Sequence, residues 1–437
     1  MENNLNRRYV AIVTIEAVTP LKVGSSDVDM LQDAPVQKDW NGLPMILGTS
    51  IAGVLRKSFE NDLANEIFGD EHSRKKDNRG SRLIISNALL CDADMKVHER
   101  LLPNEEKSAF LKLFDNLPLR DHVRITDRGV ADTDNAGKFD EEVVYKGSRF
   151  RFRMELSGTG EDAKLWQQLL QRIRQNRFRL GGGTTRGFGE ISVVETASSY
   201  EVFDVKDEVY ANADASLNTT YANTLPEAEE DEDLTHYRLE LQPDDFFMFG
   251  SGFGDDDADQ IPVYEKVIDY TKGDLSDEKI LIPASSIKGA LSHRVAYHYN
   301  KAQLEAGEDH TKTGEENAAV NALFGEAKED GKGRKGRLLM SDCYLQRSGE
   351  KVFDHVAIDR FTGGAIESAL FNEKSVAGVE TFSIDILLDT KGLDESSQKA
   401  FEMALKDITS GMLPLGGATT KGHGVFSGEV WKDGEKL

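Results

Sequence analysis

Two short phrases carry the residues best suited to chemistry. "LGGGTTRGFGEI" runs from Leu180 to Ile191, and "LGGATTKGHGVF" runs from Leu415 to Phe426. Seven of their first ten positions are identical, and Arg186 in one answers to Lys421 in the other. Glycines bare their backbone N–H groups, threonines offer hydroxyls, and a cation completes a set able to hold a phosphodiester. On that reading Gly182, Gly183, Thr184, Thr185 and Arg186 form one contact point. Gly417, Thr419, Thr420 and Lys421 form a second. The same glycines could instead serve a turn that needs positive φ and close packing. A nucleotide-cradling loop fits poorly, because such loops follow a strand and open a helix. Here a helical pattern comes before and a strand pattern after, and no GxxxxGK[ST] is present.

A second pair of phrases is "GTSIAGVLRKSF" (Gly48 to Phe59) and "ASSIKGALSHRV" (Ala284 to Val295). Each reads as a helix start with Ser50 or Ser286 at its cap, and unpaired N–H groups there attract anions. Simple capping would need no ligand. Having both features in both halves favours two RNA-backbone sites, with Arg56, Lys57 and Lys288 beside them.

These phrases belong to a longer repeat. "VTPLKVGSSDVDMLQDAPV" (Val18 to Val36) answers to "DDFFMFGSGFGDDDADQIPV" (Asp244 to Val263). "SRLIISNALL" at Ser81 matches "GRLLMSDCYL" at Gly336, and "HVRITDRG" at His122 matches "HVAIDRFTGG" at His355. Order is kept while loop lengths differ, so the chain is a tandem duplication rather than a stacked array. The expected divisions are 1–196, an acidic mobile linker at 197–233, and 234–437. In each half the patterns run strand, helix, strand, strand, helix, strand. In the first, "RRYVAIVTIEAV" alternates as a strand, "TSIAGVLRKSFENDLANEIF" is one helix, and "DAKLWQQLLQRIRQNRF" is a second. That order predicts an α+β fold of two ferredoxin-like (RRM-like, split βαβ) domains with long insertions.

Net charge is −24, which at first argues against nucleic acid. Between Glu201 and Asp233, however, eleven acids stand against the one base Lys206, which accounts for −10 of it. Basic runs such as "RIRQNRFR" (Arg172 to Arg179) and "GKGRKGR" (Gly331 to Arg337) cluster elsewhere, and a groove is set by local charge. Only Cys91 and Cys343 are present, without metal-site spacing. No apolar span or leader pattern is evident, so a cytoplasmic prokaryotic chain without membrane contact is expected.

The ordered phrases resemble the RAMP superfamily of CRISPR proteins, most closely the repeating backbone subunits of type III RNA-guided effectors. A fusion of two such modules is similar to the double backbone subunit of the D-variant effectors. The resemblance implies partners: CRISPR RNA, single-stranded target RNA and other effector subunits. It also implies hairpin "thumbs" that interrupt the guide–target duplex, falling here in Asp127 to Tyr145 and Asp359 to Gly378. Cleaving members use an aspartate in the loop after the first strand, with divalent metal (Mg or Mn). That aspartate corresponds to Asp33, two residues before Pro35. In the second half the spacing departs from the pattern: Asp259 lies three before Pro262 and Gln260 stands two before it. The expected function is metal-dependent cleavage of target RNA by its own 2′-hydroxyl, with Asp33 and Asp259 as catalytic and metal residues. The alternatives are a non-cleaving RNA scaffold, or a guide-processing endoribonuclease of the same superfamily. The latter uses an early histidine, and the first here, His72, has no counterpart in the second half. His122 and His355 do repeat, and read as strand-end packing.

Overall fold

A computed structural model describes residues 5–24, 35–70, 79–123, 125–126, 137–307, 312–329 and 332–437. Asp33 and His72, and 127–136 of the first expected thumb, lie outside the described residues.

In the first half, strand β1 (Arg7–Ala17) leads by a loop to helices α1 (Gly48–Arg56) and α2 (Asn61–Phe68). Strands β2 (Leu83–Ile85) and β3 (Ala88–Leu90) follow, then the hairpin β4 (Leu119–Val123) and β5 (Lys138–Glu142). Strand β6 (Arg149–Gly158), helix α3 (Ala163–Ile173) and strand β7 (Ile191–Val193) complete the unit. The core strands lie in the order β3-β6-β1-β7, with β2 also on β6. This is the antiparallel split βαβ arrangement expected. The apolar side chains of α1 and α3 pack on one sheet face, with Trp166 and Leu170 fully buried.

The expected single helix after Gly48 is two. The chain turns at 57–60, where Ser58 and Phe59 donate N–H groups to the carbonyls of Leu55 and Arg56. Arg56 then braces the pair by donating to the Gly69 carbonyl at 2.8 Å.

The acidic segment is not a free linker, and the reason is its apolar minority. Strand β8 (Ser199–Asp204) pairs with Arg7 to Ile12 of β1, extending the sheet edge begun by β7. Leu217 and Leu225 are buried against the first domain, and Phe203 is buried beside Tyr210 and Tyr221 of the segment itself. The carboxylates of the segment and its entry face solvent or bases: Asp204 pairs with Arg7, Asp231 holds Arg177, and Glu195 holds Arg174.

The second half repeats the plan with β9 (Leu234–Pro243), a small hairpin of β10 (Ile268–Asp269) and β11 (Asp274–Leu275), and helix α4 (Ala284–Glu305). Strand β12 (Leu338–Met340), the long hairpin β13 (Gly349–Ile358) and β14 (Ala365–Ala377), β15 (Phe382–Asp389), α5 (Glu395–Thr409) and β16 (Phe426–Lys432) follow. Its sheet order is β12-β15-β9-β16, matching the first. No described helix is long and apolar enough to cross a membrane.

The halves are joined by more than the chain. The β10–β11 hairpin leaves the second domain and packs Ile268, Tyr270 and Leu275 into the first domain's core. Arg120 of β4, 7% exposed, donates to Asp342, to Glu265 Oε2 at 2.8 Å and to the Tyr344 hydroxyl at 2.8 Å. Its guanidinium also lies 4.9 Å from the Phe188 ring centroid.

Candidate nucleic-acid interface

The repeated glycine phrase specifies one backbone shape twice. Gly181 and Gly416 have φ of +84° and +91°, and a Cβ there would sit 2.3 Å from the Lys22 carbonyl oxygen or 2.4 Å from that of Met248. Gly189 and Gly424 have φ of +85° and +76°, with the Leu180 and Leu415 oxygens where a Cβ would go. Only glycine fits such sites without strain. The expectation of bare loop amides therefore needs correction. Gly182 donates its N–H to the Lys22 carbonyl at 2.8 Å, and Gly417 donates to Met248 at 2.7 Å. The loop is pinned to the segment after the first strand, and those amides serve packing. Gly183 takes φ of +69°, close to the +57° of its counterpart Ala418. Thr184 is buried, Thr185 and Thr419 are half-buried, and Thr420 is exposed.

The loop cations do not stand free either. Arg186 Nη2 lies 2.9 Å from Glu141 Oε1, which Lys22 also contacts. Lys421 Nζ lies 3.0 Å from Glu373 Oε2. Both glutamates come from the returning strand of a hairpin, and both carry a histidine on their other oxygen. His122 Nε2 lies 3.4 Å from Glu141, and His355 Nε2 lies 3.1 Å from Glu373, close pairs without hydrogen-bond alignment. Each histidine stacks on the residue directly across the hairpin: Phe139 at 5.1 Å and Phe371 at 4.9 Å. Each loop cation lies over that same ring, Arg186 at 5.5 Å and Lys421 at 4.8 Å. A four-residue latch of His, Phe, Glu and cation thus fastens hairpin to glycine loop in both domains.

Burial alone would raise the Glu141 carboxyl. The close contacts with His122, Lys22 and Arg186 outweigh it and hold the group well below the usual carboxylate range. Burial is likewise outweighed at Glu373, by Lys421 and then His355, and its carboxyl is lowered. Sequence reading assigned the histidines to packing and missed the glutamates. The signal was present as F-x-E-x-x-V, Phe139 to Val144 and Phe371 to Val376.

The helix starts also differ from expectation. Helix α1 begins at Gly48, whose N–H is accepted by Asn87 Oδ1 at 2.9 Å, and α4 begins at Ala284, accepted by Asp342 Oδ1 at 2.9 Å. The caps come from the links between neighbouring strands, and Ser50 and Ser286 are exposed first-turn residues instead. Of the nearby cations, Arg56 is turned back onto α2, while Lys57 is exposed.

Cations left facing other cations lie along the domain junction. Burial and then the neighbouring Arg186 lower Lys288 from the ordinary ammonium value. Lys335 is lowered by burial and by Lys57 and Arg179. Bases of both domains thus lie near one another at the junction, Lys288 near Arg186 and Lys335 near Lys57 and Arg179.

Around Asp259 the donor set does not suit a metal ion. Asp259 Oδ2 accepts the Asn372 N–H at 2.9 Å, and its own N–H donates to Asn372 Oδ1 at 2.8 Å. Lys374 Nζ, on the same strand, contacts Asp255 at 2.5 Å and Asp257 at 3.7 Å. An ammonium already stands between Asp255 and Asp257, while Asp259 is engaged by Asn372. Among the described residues no group of three or more His, Cys, Asp or Glu side chains could hold a metal ion.

A comparison with curated proteins gives no match. The family model of the RAMP superfamily matches residues 14–192 and 265–427, one stretch in each of the two ferredoxin-like domains. That is most of the chain and includes both glycine loops, both latches and both helix starts, so the protein is a member of the RAMP superfamily.

Proposed function

We propose that this chain is a double backbone subunit of a type III CRISPR effector, of the D-variant kind, that holds CRISPR RNA across its domain junction. The observation that carries this reading is the meeting of first-domain and second-domain bases at the junction, Lys335 near Lys57 and Lys288 near Arg186. Thr185 and Thr420 beside the latches offer hydroxyls, and Ser50 and Ser286 lie on the exposed first turns of the two helices. Phosphates positioned there fix the register of an RNA strand without reading its bases. The latch residues act as positioning groups, setting the angle of each hairpin against the glycine loop. Guide RNA titrated at several salt concentrations tests this. Lys57→Gln with Lys335→Gln should flatten log K against log salt by about 1.4, two contacts at ~0.7 each for a single strand. An unchanged slope would refute the path.

Cleavage of a guide-paired target is the second part of the proposal, and it is assigned to the first domain. In this reading Asp33 accepts the proton of a target 2′-hydroxyl, whose oxygen bonds to the adjacent phosphorus as the P–O5′ bond breaks, the leaving 5′-oxygen taking a proton from solvent and a 2′,3′-cyclic phosphate remaining. The second domain is read as a non-cleaving scaffold, because Lys374 already engages Asp255 and Asp257 of its acidic loop and Asn372 engages Asp259. Labelled guide-complementary RNA, with and without divalent metal, separates the alternatives. A target-dependent cutter needs target, a scaffold cuts nothing, and a guide processor cuts precursor alone.

A further inference from the structure

Both domains carry a tongue in the same place, between the paired stretch after the first strand and the helix that follows. In the second domain it comes after the Gly250–Pro262 bridge and contains the β10–β11 hairpin. In the first it comes after the Gly24–Val36 bridge and spans 37–44, closed by the Lys38–Pro44 bridge. The two meet different fates. Tyr270 of the second tongue donates its hydroxyl to the Cys91 carbonyl at 2.9 Å and lies between Phe110, 5.1 Å away, and the Arg149 guanidinium, 4.4 Å away. Trp40 of the first tongue is 55% exposed.

That exposure is built in. Asp39 Oδ1 accepts the N–H groups of Asn41 at 2.8 Å and Leu43 at 2.9 Å, which fixes the turn. Asn41 is 6% exposed; it donates to the Arg100 carbonyl at 3.1 Å and accepts from Leu102 N–H at 2.8 Å. Between those two residues stands Leu101, 75% exposed. The result is an apolar knob in which Trp40 and Leu101 stand exposed on backbone segments that Asn41 ties together. An exposed tryptophan is the kind of side chain that anchors an interface.

We propose that this knob docks into a different protein, as the second tongue docks into the first domain, and not into a second copy of this chain. The seat itself decides against a second copy. The seat for Tyr270 depends on Gly147, where a Cβ would lie 2.4 Å from the Ile268 oxygen, while Ile268 N–H donates to Lys146 at 2.9 Å. Counting from the bridged pairs Leu21–Val144 and Phe247–Val376, Gly147 corresponds to Val379 and Arg149 to Thr381. Val379 packs in the second domain's own core, and Thr381 offers no guanidinium wall. The segment that supplies Phe110 has no counterpart, because only two residues separate Gln346 from Gly349. The partner is therefore a non-identical protein with a glycine-backed seat, a main-chain carbonyl for the indole N–H, and an aromatic or guanidinium wall.

This inference rests on the assembly part of the proposed function and not on RNA binding or cleavage. The test places a photo-crosslinking phenylalanine analogue at position 40 of the full chain, assembled in its own cells. The expected product is one cross-link to a non-identical polypeptide, mapped to a glycine turn. Trp40→Ala, and separately Leu101→Ser, should weaken retention of that same protein at least tenfold, with melting temperature and bound RNA unchanged. A cross-link between two copies of the chain, a cross-link to nucleic acid alone, or full retention by both variants would overturn it. Loss of bound RNA from wild-type preparations would count against the RNA reading and leave this one standing.

Discussion

The first strands of the two domains occupy equivalent places and are buried differently. Residues Tyr9 to Ile15 of β1 are buried without a break, whereas β9 alternates buried and more exposed positions from Tyr237 to Gln242. The first sheet is covered on both faces: helices on one, and on the other a satellite core of Ile12, Met45, Leu89, Cys91, Val97 and Leu217. The second sheet keeps its other face in solvent, where Arg238 pairs with Asp385. Two-sided burial demands a continuous apolar run and one-sided burial an alternating one. One duplicated fold thus became a covered core domain and an open companion. The same divergence runs through the junction, where Arg120 and Phe353 hold equivalent hairpin positions opposite Glu141 and Glu373.

The largest expected effect breaks that last contrast. Arg120→Leu strands Asp342, whose side chain is fully buried, and Glu265 without a counter-ion. Removing one partner of a buried pair costs about 3–5 kcal/mol. Phe353→Leu, at a half-buried position beside Phe246 and His423, should cost about 1 kcal/mol. Denaturant unfolding of both variants checks the difference; equal losses would mean the junction charge is incidental.

A smaller effect sharpens the comparison of the latches. Glu141→Gln removes a charge held by Lys22, Arg186 and His122, and Glu373→Gln removes one held by Lys421 and His355. Hydrogen bonds to a charged group are worth roughly 1.5–3 kcal/mol, with the lower end expected at Glu373 because Lys421 is partly exposed. Both carboxyls are lowered in the folded state. Their contribution is therefore complete above the unfolded value of about 4.3 and fades as pH falls through the depressed folded value. Each variant should flatten the acid limb of a stability–pH curve, Glu141→Gln the more. Parallel curves for wild type and variant below pH 5 would contradict the ion-pair account.

Next is a difference in salt dependence. Because the glutamates already compensate the loop cations, Arg186→Gln with Lys421→Gln should change the salt slope of guide binding by less than Lys57→Gln with Lys335→Gln. The reverse order would make the glycine loops the main phosphate contacts and the junction bases secondary.

How much of this the sequence disclosed follows from separation along the chain. The duplication, the fold and the glycine geometry were legible, because each is written in local phrases. The latch was not, since Glu141 and Glu373 reach the loops from 45 and 48 residues away and gain meaning only after the hairpins close. The acidic segment misled because charge dominates its composition while three spaced apolar residues, Phe203, Leu217 and Leu225, determine its path. The helix caps misled in the same way: Asn87 and Asp342 lie in links between strands, 39 and 58 residues from the helix starts they cap, beyond the reach of any local capping rule.

The smallest expected effect concerns the two loop aspartates. Asp259→Ala should cost within about 0.5 kcal/mol, since its side chain is exposed and accepts only the Asn372 N–H. On the reading of the second domain as scaffold, this variant keeps every target product, while Asp33→Ala removes cleavage with guide and assembly retained. A carboxylate loop serves a dianionic transition state only by recruiting positive charge, and Lys374 supplies that charge within the fold to Asp255 and Asp257. Lys374→Met would remove the ammonium and leave Asp255 and Asp257 uncompensated beside Asp259. If the lysine is what silences the loop, this variant should bind Mn more tightly than wild type by calorimetry, with or without RNA present. Should Asp259→Ala instead erase one product from the wild-type protein, the second domain cuts, and Lys374 belongs to its catalytic apparatus rather than to its silencing.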